Sequence, residues 1–351
     1  MVHAIVLDFK KAFDLVPHAL LIRKLIKYGF DPYIVRWVAN FLEDRKQRVV
    51  LNNTSSIEVS VTSGVPQGSV IGPKLFLIYI NDLPGNINAN VSLFADDTFI
   101  YNTVNNSDDR DLLQSDLTKV EEWALTWEMK FNVAKTRLLV FGNKKESLYT
   151  GTNATYTLNG TPIMRAENTK YLGVTIQNNL KFNNHIQNIN AKASRVLGII
   201  KRTLPDAPTK TKKVAYMSLC RPILEYGCQV WDPHHKKLIN ALEVTQNKAI
   251  RFICNAKGWD FSVTQGRQEI LLESLEERRL RARKNLLLNM IDGKHNILAE
   301  FVEKETNPYS HNTRAFSHNL LSSISTNTST YFYSFLPRTI RDLRVNMEET
   351  P

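Results

Sequence analysis

The sequence predicts an α+β fold in which a small antiparallel sheet carries helices on one face and a basic, mainly helical region follows. Two patterns support this class. In the first 150 residues, short apolar runs bounded by tight turns alternate with segments of helical periodicity, and from about residue 184 the periodicity is helical. The chain has 351 residues, 43% of them hydrophobic, which is enough for a sizeable core and for two or three domains.

These patterns give the elements in chain order. We predict a strand at residues 4–7, helices at 17–28 and 34–42, a hairpin of 47–51 and 57–61, a helix at 73–83, a strand–turn–strand at 91–101, a helix at 111–127, a strand at 138–141 and short strands at 155–158 and 171–176. Pro17 suits the first turn of its helix, and Asp14 is available as a nearby cap. The helix at 111–127 has an apolar stripe that would cover one face of the sheet.

Three carboxylates fall at the ends of predicted strands. Asp8 follows the run at 4–7, which suits a strand buried on both faces, and Asp96 and Asp97 stand at the tip of the strand–turn–strand. Phosphoryl transfer with two divalent ions needs such a set, because Mg²⁺ takes oxygen ligands and keeps positions open for water and phosphates. A lone Asp-Asp pair is more often a solvated turn. The apolar runs that flank this pair favour a metal site instead.

Five motifs in one order point to a known family. They are Leu7-Asp8-Phe9-Lys10-Lys11-Ala12-Phe13-Asp14 with Val16 and His18, Ser63-Gly64-Val65-Pro66-Gln67-Gly68-Ser69, Phe94-Ala95-Asp96-Asp97, Asn132-Val133-Ala134-Lys135-Thr136 and Tyr171-Leu172-Gly173-Val174. Together they resemble the reverse transcriptases of non-LTR retrotransposons, in particular the jockey-like LINE elements, from residue 1 to about residue 290. Each motif alone is weak to moderate evidence, and the combination is highly specific.

The resemblance implies a domain organisation. Residues 1–183 would form a polymerase palm, a small antiparallel sheet with helices on one face, together with part of the fingers. Residues 184–300 would form a basic, helical, thumb-like region that holds the template–primer duplex. Residues 301–351 would be a partly ordered C-terminal tail, in which residues 305–351 are rich in Ser, Thr and Asn.

The resemblance also implies the metal ligands. Asp8 and Asp96 would bind both of two Mg²⁺ ions, with Mn²⁺ as an alternative, and Asp97 would be a weaker or auxiliary ligand. Phe9 would offer its backbone carbonyl to one ion. Asp14, in the same motif, is better interpreted as structural.

Nucleotide-binding residues follow from the resemblance too. Phe13 matches the position where an aromatic ring blocks the 2′-hydroxyl of the incoming nucleotide, although a core Phe is the alternative. Gln67 and Gly68 lie in a glycine-rich turn whose backbone can approach a ligand closely, and the Gln67 amide would pack on or bond to the nucleotide. Such a loop before a helix is also a common way to begin a helix.

Lys135 corresponds to a lysine that would protonate the leaving pyrophosphate as a general acid. As a lone lysine it would be a surface residue. Tyr171, Leu172 and Gly173 resemble the hairpin that grips the primer end, where Gly173 would allow close backbone approach to a sugar-phosphate. Leu172 could equally belong to the core.

Charge is distributed unevenly along the chain. The formal net charge is +11, and residues 1–150 hold 17 basic and 17 acidic side chains, so the excess lies entirely in residues 151–351. A basic half would attract a polyanion, although it is also compatible with a surface that merely keeps the protein in solution. Basic residues mingled there with periodic apolar residues are Lys210, Lys212, Lys213, Arg221, Lys248, Arg251, Arg278, Arg279, Arg281, Arg283 and Lys284.

The sequence has no signal peptide and no transmembrane run. Its three cysteines, Cys220, Cys228 and Cys254, have spacings that match no zinc pattern and indicate reduced core residues of an intracellular protein. For a full-length parent protein we expect the nucleus. The oligomeric state does not follow from the sequence.

Only seven residues precede Asp8. In the family, an endonuclease domain and fingers that hold the triphosphate come before this motif, so we expect the chain to be N-terminally truncated and to extend primers poorly.

Three functions fit the sequence. The first is an RNA-directed DNA polymerase fragment that uses an RNA template, a DNA primer and deoxynucleoside triphosphates. The second is a catalytically inactive remnant that still binds nucleic acid. The third is an unrelated carboxylate-metal phosphotransferase or nuclease, which would leave the Pro-Gln-Gly, Asn-x-x-Lys and Tyr-Leu-Gly segments unexplained.

Overall fold

The computed structural model describes residues 1–142, 156–256, 260–292 and 324–348. The chain divides into two compact units, Met1–Asn179 and Leu180–Pro351. The boundary predicted from the sequence, between residues 183 and 184, lies four residues further along. No helix among the described residues is both long and apolar enough to cross a membrane.

The first unit mixes strands and helices. Its helices are α1 His18–Lys27, α2 Pro32–Leu42, α3 Gly72–Ile80 and α4 Ser107–Thr126, with a short 3₁₀ helix at Leu83–Asn86. Its strands are β1 Val2–Leu7, β2 Lys46–Gln47, β3 Val50–Leu51, β4 Thr54–Ser55, β5 Val59–Ser60, β6 Asn90–Phe94, β7 Asp97–Thr103, β8 Arg137–Phe141, β9 Thr157–Leu158, β10 Thr161–Pro162, β11 Met164–Arg165, β12 Asn168–Tyr171 and β13 Val174–Gln177. The mixed class and the small sheet predicted from the sequence are confirmed.

A five-stranded sheet in the order β11-β8-β1-β7-β6 forms the centre of this unit. Strand β1 lies in the middle and pairs antiparallel with both β7 and β8. Residues 3–7 of β1 are all buried, as the unbroken apolar run predicts. The sheet is antiparallel except at its edge, where the short strand β11 runs parallel to β8. The predicted antiparallel pairing is therefore correct for β8, β1, β7 and β6 and wrong for β11.

The two faces of the sheet differ. Ile5 of β1 lies opposite Ile100 of β7 and Leu138 of β8, and all three belong to the hydrophobic core that also contains residues of α1 to α4. Because side chains alternate along a strand, Val6 and the residues in register with it face the other way. Asp8, two residues after Val6, lies on this second face.

A buried lysine links three helical segments behind the sheet. The Nζ atom of Lys24 in α1 lies 3.8 Å from the ring centre of Trp127, 4.6 Å from that of Tyr79 and 4.9 Å from that of Trp123. It donates a hydrogen bond to Asp82 Oδ1 at 2.6 Å, and Trp123 Nε1 donates to the same oxygen at 2.8 Å. Burial lowers the pKa of Lys24 to about 8. The ammonium therefore remains mostly charged at neutral pH and holds α1 to the segment after α3 and to α4.

Two local predictions need correction. Asp14 does not cap α1, which begins after Pro17 without a side-chain hydrogen bond at its N-terminus. The predicted hairpin around residues 52–56 turns on Asn52 and Asn53 alone, both with positive φ, and Thr54–Ser55 already pair with Val50–Leu51. Asparagine tolerates the left-handed conformation that a two-residue hairpin turn requires.

The second unit is helical over its described residues. Its helices are α5 Asn183–Thr203, α6 Thr209–Ala215, a π-helical turn Tyr216–Cys220, α7 Arg221–Glu225, α8 Cys228–Trp231, α9 Lys236–Ile253, α10 Val263–Glu269, α11 Leu275–Ile291, α12 Ser329–Phe332 and α13 Phe335–Glu348. Helix α5 packs along α9, where Asn190 Nδ2 donates to the Ala241 carbonyl at 3.0 Å. Cys220 and Cys228 are buried free thiols.

An arginine network around Asp232 joins the last helix to this unit. Asp232 accepts hydrogen bonds from Arg279 Nε at 2.7 Å and from Arg283 Nε at 2.8 Å, and Arg338 Nη1 donates to its backbone carbonyl at 2.8 Å. Arg283 also donates to Asp342 of α13 at 2.8 Å. Part of the predicted tail, residues 335–348, is therefore a helix packed onto α11, where Leu287 meets Ile340.

The network also changes the interpretation of the basic sequence. Arg279 and Arg283 are almost completely buried, as is Lys212, which is bonded to Asn255. Arg278 and Arg281 are paired with Glu273. The three buried residues therefore serve the internal structure, and Glu273 partly neutralises the charges of Arg278 and Arg281.

One prediction concerns the stability of the sheet unit at acid pH. His3 is buried and its Nδ1 lies 2.7 Å from the Tyr156 hydroxyl. Burial, followed by the charges of the N-terminus and Arg165, lowers the pKa of His3 from 6.5 to about 4. Between these values the unfolded chain binds a proton that the folded chain does not. Stability is therefore lost as the pH falls from about 7 to about 4.5, by roughly 2–3 kcal/mol from this group.

Urea denaturation of the wild-type chain and of His3→Gln at about pH 7 and about pH 4.5 isolates the contribution of His3 to the free energy of unfolding, because the carboxylates titrate equally in the two proteins. We expect His3→Gln, whose amide can still bond to Tyr156, to lose clearly less stability on acidification. Equal losses in the two proteins would show that His3 does not titrate as described.

Candidate active site

The candidate site is built from the C-terminal end of β1 and the turn between β6 and β7. Leu7 of β1 is in register with Thr98 of β7, so the next pair sets Asp8 beside Asp97. Opposite residues of an antiparallel pair project to the same face. The two carboxylates therefore lie next to each other on the face of the sheet that points away from the main core.

The turn between β6 and β7 contains two residues, Ala95 and Asp96, because Phe94 pairs with Asp97. The tip of the strand–turn–strand is thus Ala95-Asp96, whereas Asp97 is the first residue of β7. Ala95 has φ +50, a left-handed conformation that costs a residue with a Cβ about 1–2 kcal/mol. Strained backbone of this kind is often found at functional sites.

The acids influence one another electrostatically. Partial burial, followed by repulsion from Asp96 and Asp8, raises the pKa of Asp97. All three predicted acids are therefore close enough to interact. A cation bound among them would relieve this repulsion.

The Asn132-x-x-Lys135-Thr136 turn is attached to the end of β1. The backbone amide of Asn132 donates to the Asp8 carbonyl at 2.7 Å, and the amides of Lys135 and Thr136 both donate to the Asn132 carbonyl at 3.0 Å. Lys135 Nζ consequently lies 4.0 Å from Asp8 Oδ2, with both side chains partly in solvent. The structure thus brings Lys135 to the predicted acids.

The acids supply part of the donor set that a divalent ion needs. Among the residues that the structure describes, no three His, Cys, Asp or Glu side chains are grouped closely enough to hold a metal ion. Asp8 and Asp97 do present neighbouring carboxylates, and Mg²⁺ takes few protein ligands, all of them oxygen. The pair fits part of a Mg²⁺ or Mn²⁺ coordination shell. That Asp8 and Asp96 bridge two ions stays a prediction.

The glycine-rich motif at residues 63–69 is hydrogen-bonded to the first motif at residues 7–18, and we call these contacts the clamp. Gln67 Nε2 donates to Asp14 Oδ1 at 2.9 Å, Ser63 Oγ donates to the Asp14 carbonyl at 2.9 Å, and His18 Nε2 lies 2.8 Å from the Gly64 carbonyl. A Cβ on Gly64 would lie 2.7 Å from the Asp14 carbonyl oxygen. Asp14 thus has a specific structural role, because its carboxylate orients the Gln67 amide.

Phe13 lies next to this clamp. Its ring stacks on Phe76 of α3 with centroids 4.5 Å apart, and it is half-buried, so one part of the ring stays accessible. Phe9, by contrast, is buried against Phe131 and Trp123. Gly68 has φ +85 with open space around it.

The β12–β13 hairpin lies against the strand that carries Asp97. Its two-residue turn is Leu172-Gly173, and both have positive φ. The Tyr171 ring is 5.0 Å from the ring of Phe99, two residues after Asp97. Burial, followed by the charge of Asp97, raises the pKa of Tyr171. The predicted hairpin is present and close to the acids, whereas its contact with a primer stays a prediction.

A cavity of about 1010 Å³ occurs elsewhere in the unit. His18, Ser63, Glu128 and Lys130 are among its lining residues, and none of the three acids is.

The family model described as "Reverse transcriptase (RNA-dependent DNA polymerase)" matches residues 2–176, which contain all of these elements. The chain belongs to the reverse transcriptase family. Its relatives in Drosophila melanogaster include the "Probable RNA-directed DNA polymerase from transposon BS", 31% identical over 79% of this chain and 31% of that protein. The "RNA-directed DNA polymerase from mobile element jockey" is 31% identical over 71% of this chain and 28% of that protein. The predicted membership among jockey-like, non-LTR retrotransposon enzymes is confirmed.

This reverse transcriptase chain spans about a third of the length of those relatives. Among solved structures, apo telomerase from Candida tropicalis covers 86% of this chain and 52% of its own at 10% identity and a TM-score of 0.36. At that score the similarity supports no conclusion.

Sequence reasoning missed the residues that position the site. The motifs contain Asn132, Thr136, Ser63 and His18, for which the sequence predicts no role, and the structure shows each of them bonding to the backbone of a partner motif. Asn and Ser often bond to backbone groups in turns. That tendency could have suggested such roles but not the partners, which are up to 128 residues away.

Gly64 and Gly68 give a matched test of the clamp. Both have positive φ, so alanine at either position costs about 1–2 kcal/mol from conformation alone. Only at Gly64 would the new Cβ meet backbone, at 2.7 Å. We expect Gly64→Ala to be destabilised by a further 1–3 kcal/mol or so relative to Gly68→Ala, measured by urea unfolding. Equal destabilisation would mean that the two motifs are not in the contact described.

Proposed function

We propose that this reverse transcriptase chain carries RNA-directed DNA polymerase chemistry: it transfers a nucleotide from a deoxynucleoside triphosphate to a DNA primer paired with an RNA template. The observation that supports this most is the pairing of Asp8 with Asp97 beside the Asp96 turn, in a family whose members are named as polymerases. Two carboxylates on adjacent strand ends, mutually repelling, suit a site that receives divalent cations.

In this proposal Asp8 and Asp96 hold two Mg²⁺ or Mn²⁺ ions, and Asp97 assists. Such ions activate the attacking hydroxyl and stabilise the leaving oxygens. Phe9 lends its carbonyl to one ion. Lys135, which rests 4.0 Å from Asp8, donates a proton to the departing pyrophosphate.

The same proposal gives roles to the surrounding residues. The half-buried Phe13 ring excludes a 2′-hydroxyl, and its stacking on Phe76 keeps it in place. Gln67, oriented by Asp14, packs on the incoming nucleotide near the open turn at Gly68. The turn at Leu172 and Gly173 contacts the end of the primer.

The second unit would hold the template–primer duplex through its remaining basic residues. The exposed basic residues of its helices α5, α6 and α9 are Lys192, Arg195, Arg202, Lys210, Lys236, Lys237, Lys248 and Arg251. These side chains have no ion pair among the described residues. They therefore keep the charge that phosphates would attract.

A second candidate is a catalytically inactive remnant that retains nucleic-acid binding. It is favoured by the lack of a three-ligand metal group in the described part of the chain. The two candidates make different predictions for primer extension but the same prediction for binding.

Asp96→Asn tests the polymerase proposal. It removes a metal-binding charge from the turn, and we expect primer extension on an RNA template with Mg²⁺ to fall at least about a hundredfold, the loss typical of removing one electrostatic contact to a transition state. Asp111→Asn, a neutralised surface aspartate on α4, is the control and should extend primers like the wild-type chain. Absence of extension by the wild-type chain, with binding intact, would favour the remnant. Undiminished extension by Asp96→Asn would overturn the metal assignment.

Arg195→Ala tests the role of the second unit. Binding of the full chain to an RNA–DNA duplex should weaken as salt rises from about 50 to 200 mM, and removing one phosphate contact should reduce the slope of log K against log salt by about 1. Arg281→Ala is the control, because Arg281 is 52% exposed but bound to Glu273. It should leave the slope nearly unchanged. Salt-independent binding by the wild-type chain would contradict the proposed role.

A further inference from the structure

Helix α2 exposes a stripe of aromatic rings that the polymerase site does not use. Its inner side, Val35, Val38 and Leu42, is buried in the core of the first unit. Its outer side presents Tyr33, which is 85% exposed, and Trp37, which is 56% exposed. Phe41, the next residue at the same four-residue interval, is partly buried. Residues four apart lie on one face of a helix.

The rings of this aromatic stripe (Tyr33, Trp37 and Phe41) are arranged in steps. The planes of Trp37 and Phe41 are inclined by 17° with centroids 5.9 Å apart, so they are nearly parallel. From Tyr33 to Phe41 the stripe extends about 12 Å along the helix. That length corresponds to about three stacked bases at 3.4 Å each.

Charge around the aromatic stripe favours a polyanion. Residues 18–48 contain seven basic and three acidic side chains, although residues 1–150 as a whole are neutral. One of the seven, Lys24, is buried, and the other six are not. Arg36 precedes Trp37 on the exposed side of α2, and Arg45, Lys46 and Arg48 follow the helix directly. Lys46 and Arg48 lie 4.0 Å and 3.9 Å from Glu58 in exposed ion pairs, which are weak enough for a phosphate to replace.

We propose that the aromatic stripe of α2 is a stacking platform for a single strand of nucleic acid, whose phosphates are held by the basic residues that flank it. Exposed aromatic rings combined with a basic track are the features by which proteins bind single strands without reading sequence. The proposal deepens the nucleic-acid part of the proposed function, because it locates an unpaired segment of template on the first unit. It does not require the chain to be catalytically active.

Variants at position 37 separate stacking from apolar docking. Trp37→Phe keeps an aromatic ring, whereas Trp37→Leu keeps apolar bulk without a π face. We expect the full chain with Trp37→Leu to bind a fluorescein-labelled oligouridylate of twenty nucleotides about 5–100-fold more weakly, which corresponds to the loss of one stacked base, and Trp37→Phe to bind within about threefold of wild type. Binding of a duplex of equal length should change less than twofold in either variant. Leu125→Ala, which removes apolar surface from a residue 82% exposed on α4, is the control.

Tryptophan fluorescence provides a second measurement. The oligouridylate should quench part of the emission of the wild-type chain, and this part should be missing in Trp37→Phe. Unchanged oligouridylate binding by Trp37→Leu overturns the proposal. So does a wild-type dimer in sedimentation velocity that Trp37→Leu converts to a monomer without loss of binding, since the aromatic stripe would then join two copies of the chain.

The two proposals fail separately. Asp96→Asn should bind the oligouridylate as the wild-type chain does, so its primer extension bears on the polymerase site alone. A chain that binds no single strand at low salt would overturn the stacking platform, whatever its polymerase activity.

Discussion

Double pairing of β1 is the constraint on which the rest of the first unit depends. Hydrogen bonds on both edges fix its register against β7 and β8 at once, and a slip of one residue would turn every buried side chain outward. The same register determines which residue follows Leu7 at the end of the strand and what stands next to it. Asp8 meets Asp97 on one side and the Asn132–Thr136 turn on the other. The position of the charged site is thus a consequence of how the core is packed, and no separate interaction is required to bring the acids together.

The motifs around the acids are connected through backbone rather than through side-chain pairs alone. Asn132 bonds the Asp8 carbonyl, Ser63 bonds the Asp14 carbonyl, and His18 reaches the Gly64 carbonyl. Behind them, the aromatic rings around Lys24 hold α1 against α3 and α4. Bonds to main-chain atoms fix the path of a loop directly. The side chains of that loop therefore have a defined orientation. This arrangement suits chemistry that depends on position more than on the reactivity of any one residue.

Much of the fold could be predicted because its signals are local. The apolar run of β1, the strand–turn–strand around Asp96 and the stripe of α4 each depend on residues close in sequence, and each was located within a few residues. What failed depends on distant partners. Asp14 was expected to cap α1 and instead accepts from Gln67, 53 residues away. Arg279 and Arg283 were expected on a basic surface and instead surround Asp232. A charged residue and its long-range partner leave no periodic pattern, so sequence alone does not distinguish a buried ion pair from a ligand-binding cation.

The contact of Gly64 with Asp14 limits how this sequence can change. The atoms that a Cβ at position 64 would meet are the carbonyl oxygen, Cα and carbonyl carbon of Asp14, all of them main chain. No replacement of the Asp14 side chain can remove them, so a second mutation in the facing motif cannot restore space. No single further mutation can compensate for a substitution at position 64. The Gln67–Asp14 hydrogen bond is formed by two side chains, so two mutations can replace it with another bonded pair. Proteins that descend from this chain should therefore vary at positions 14 and 67 but keep glycine at position 64.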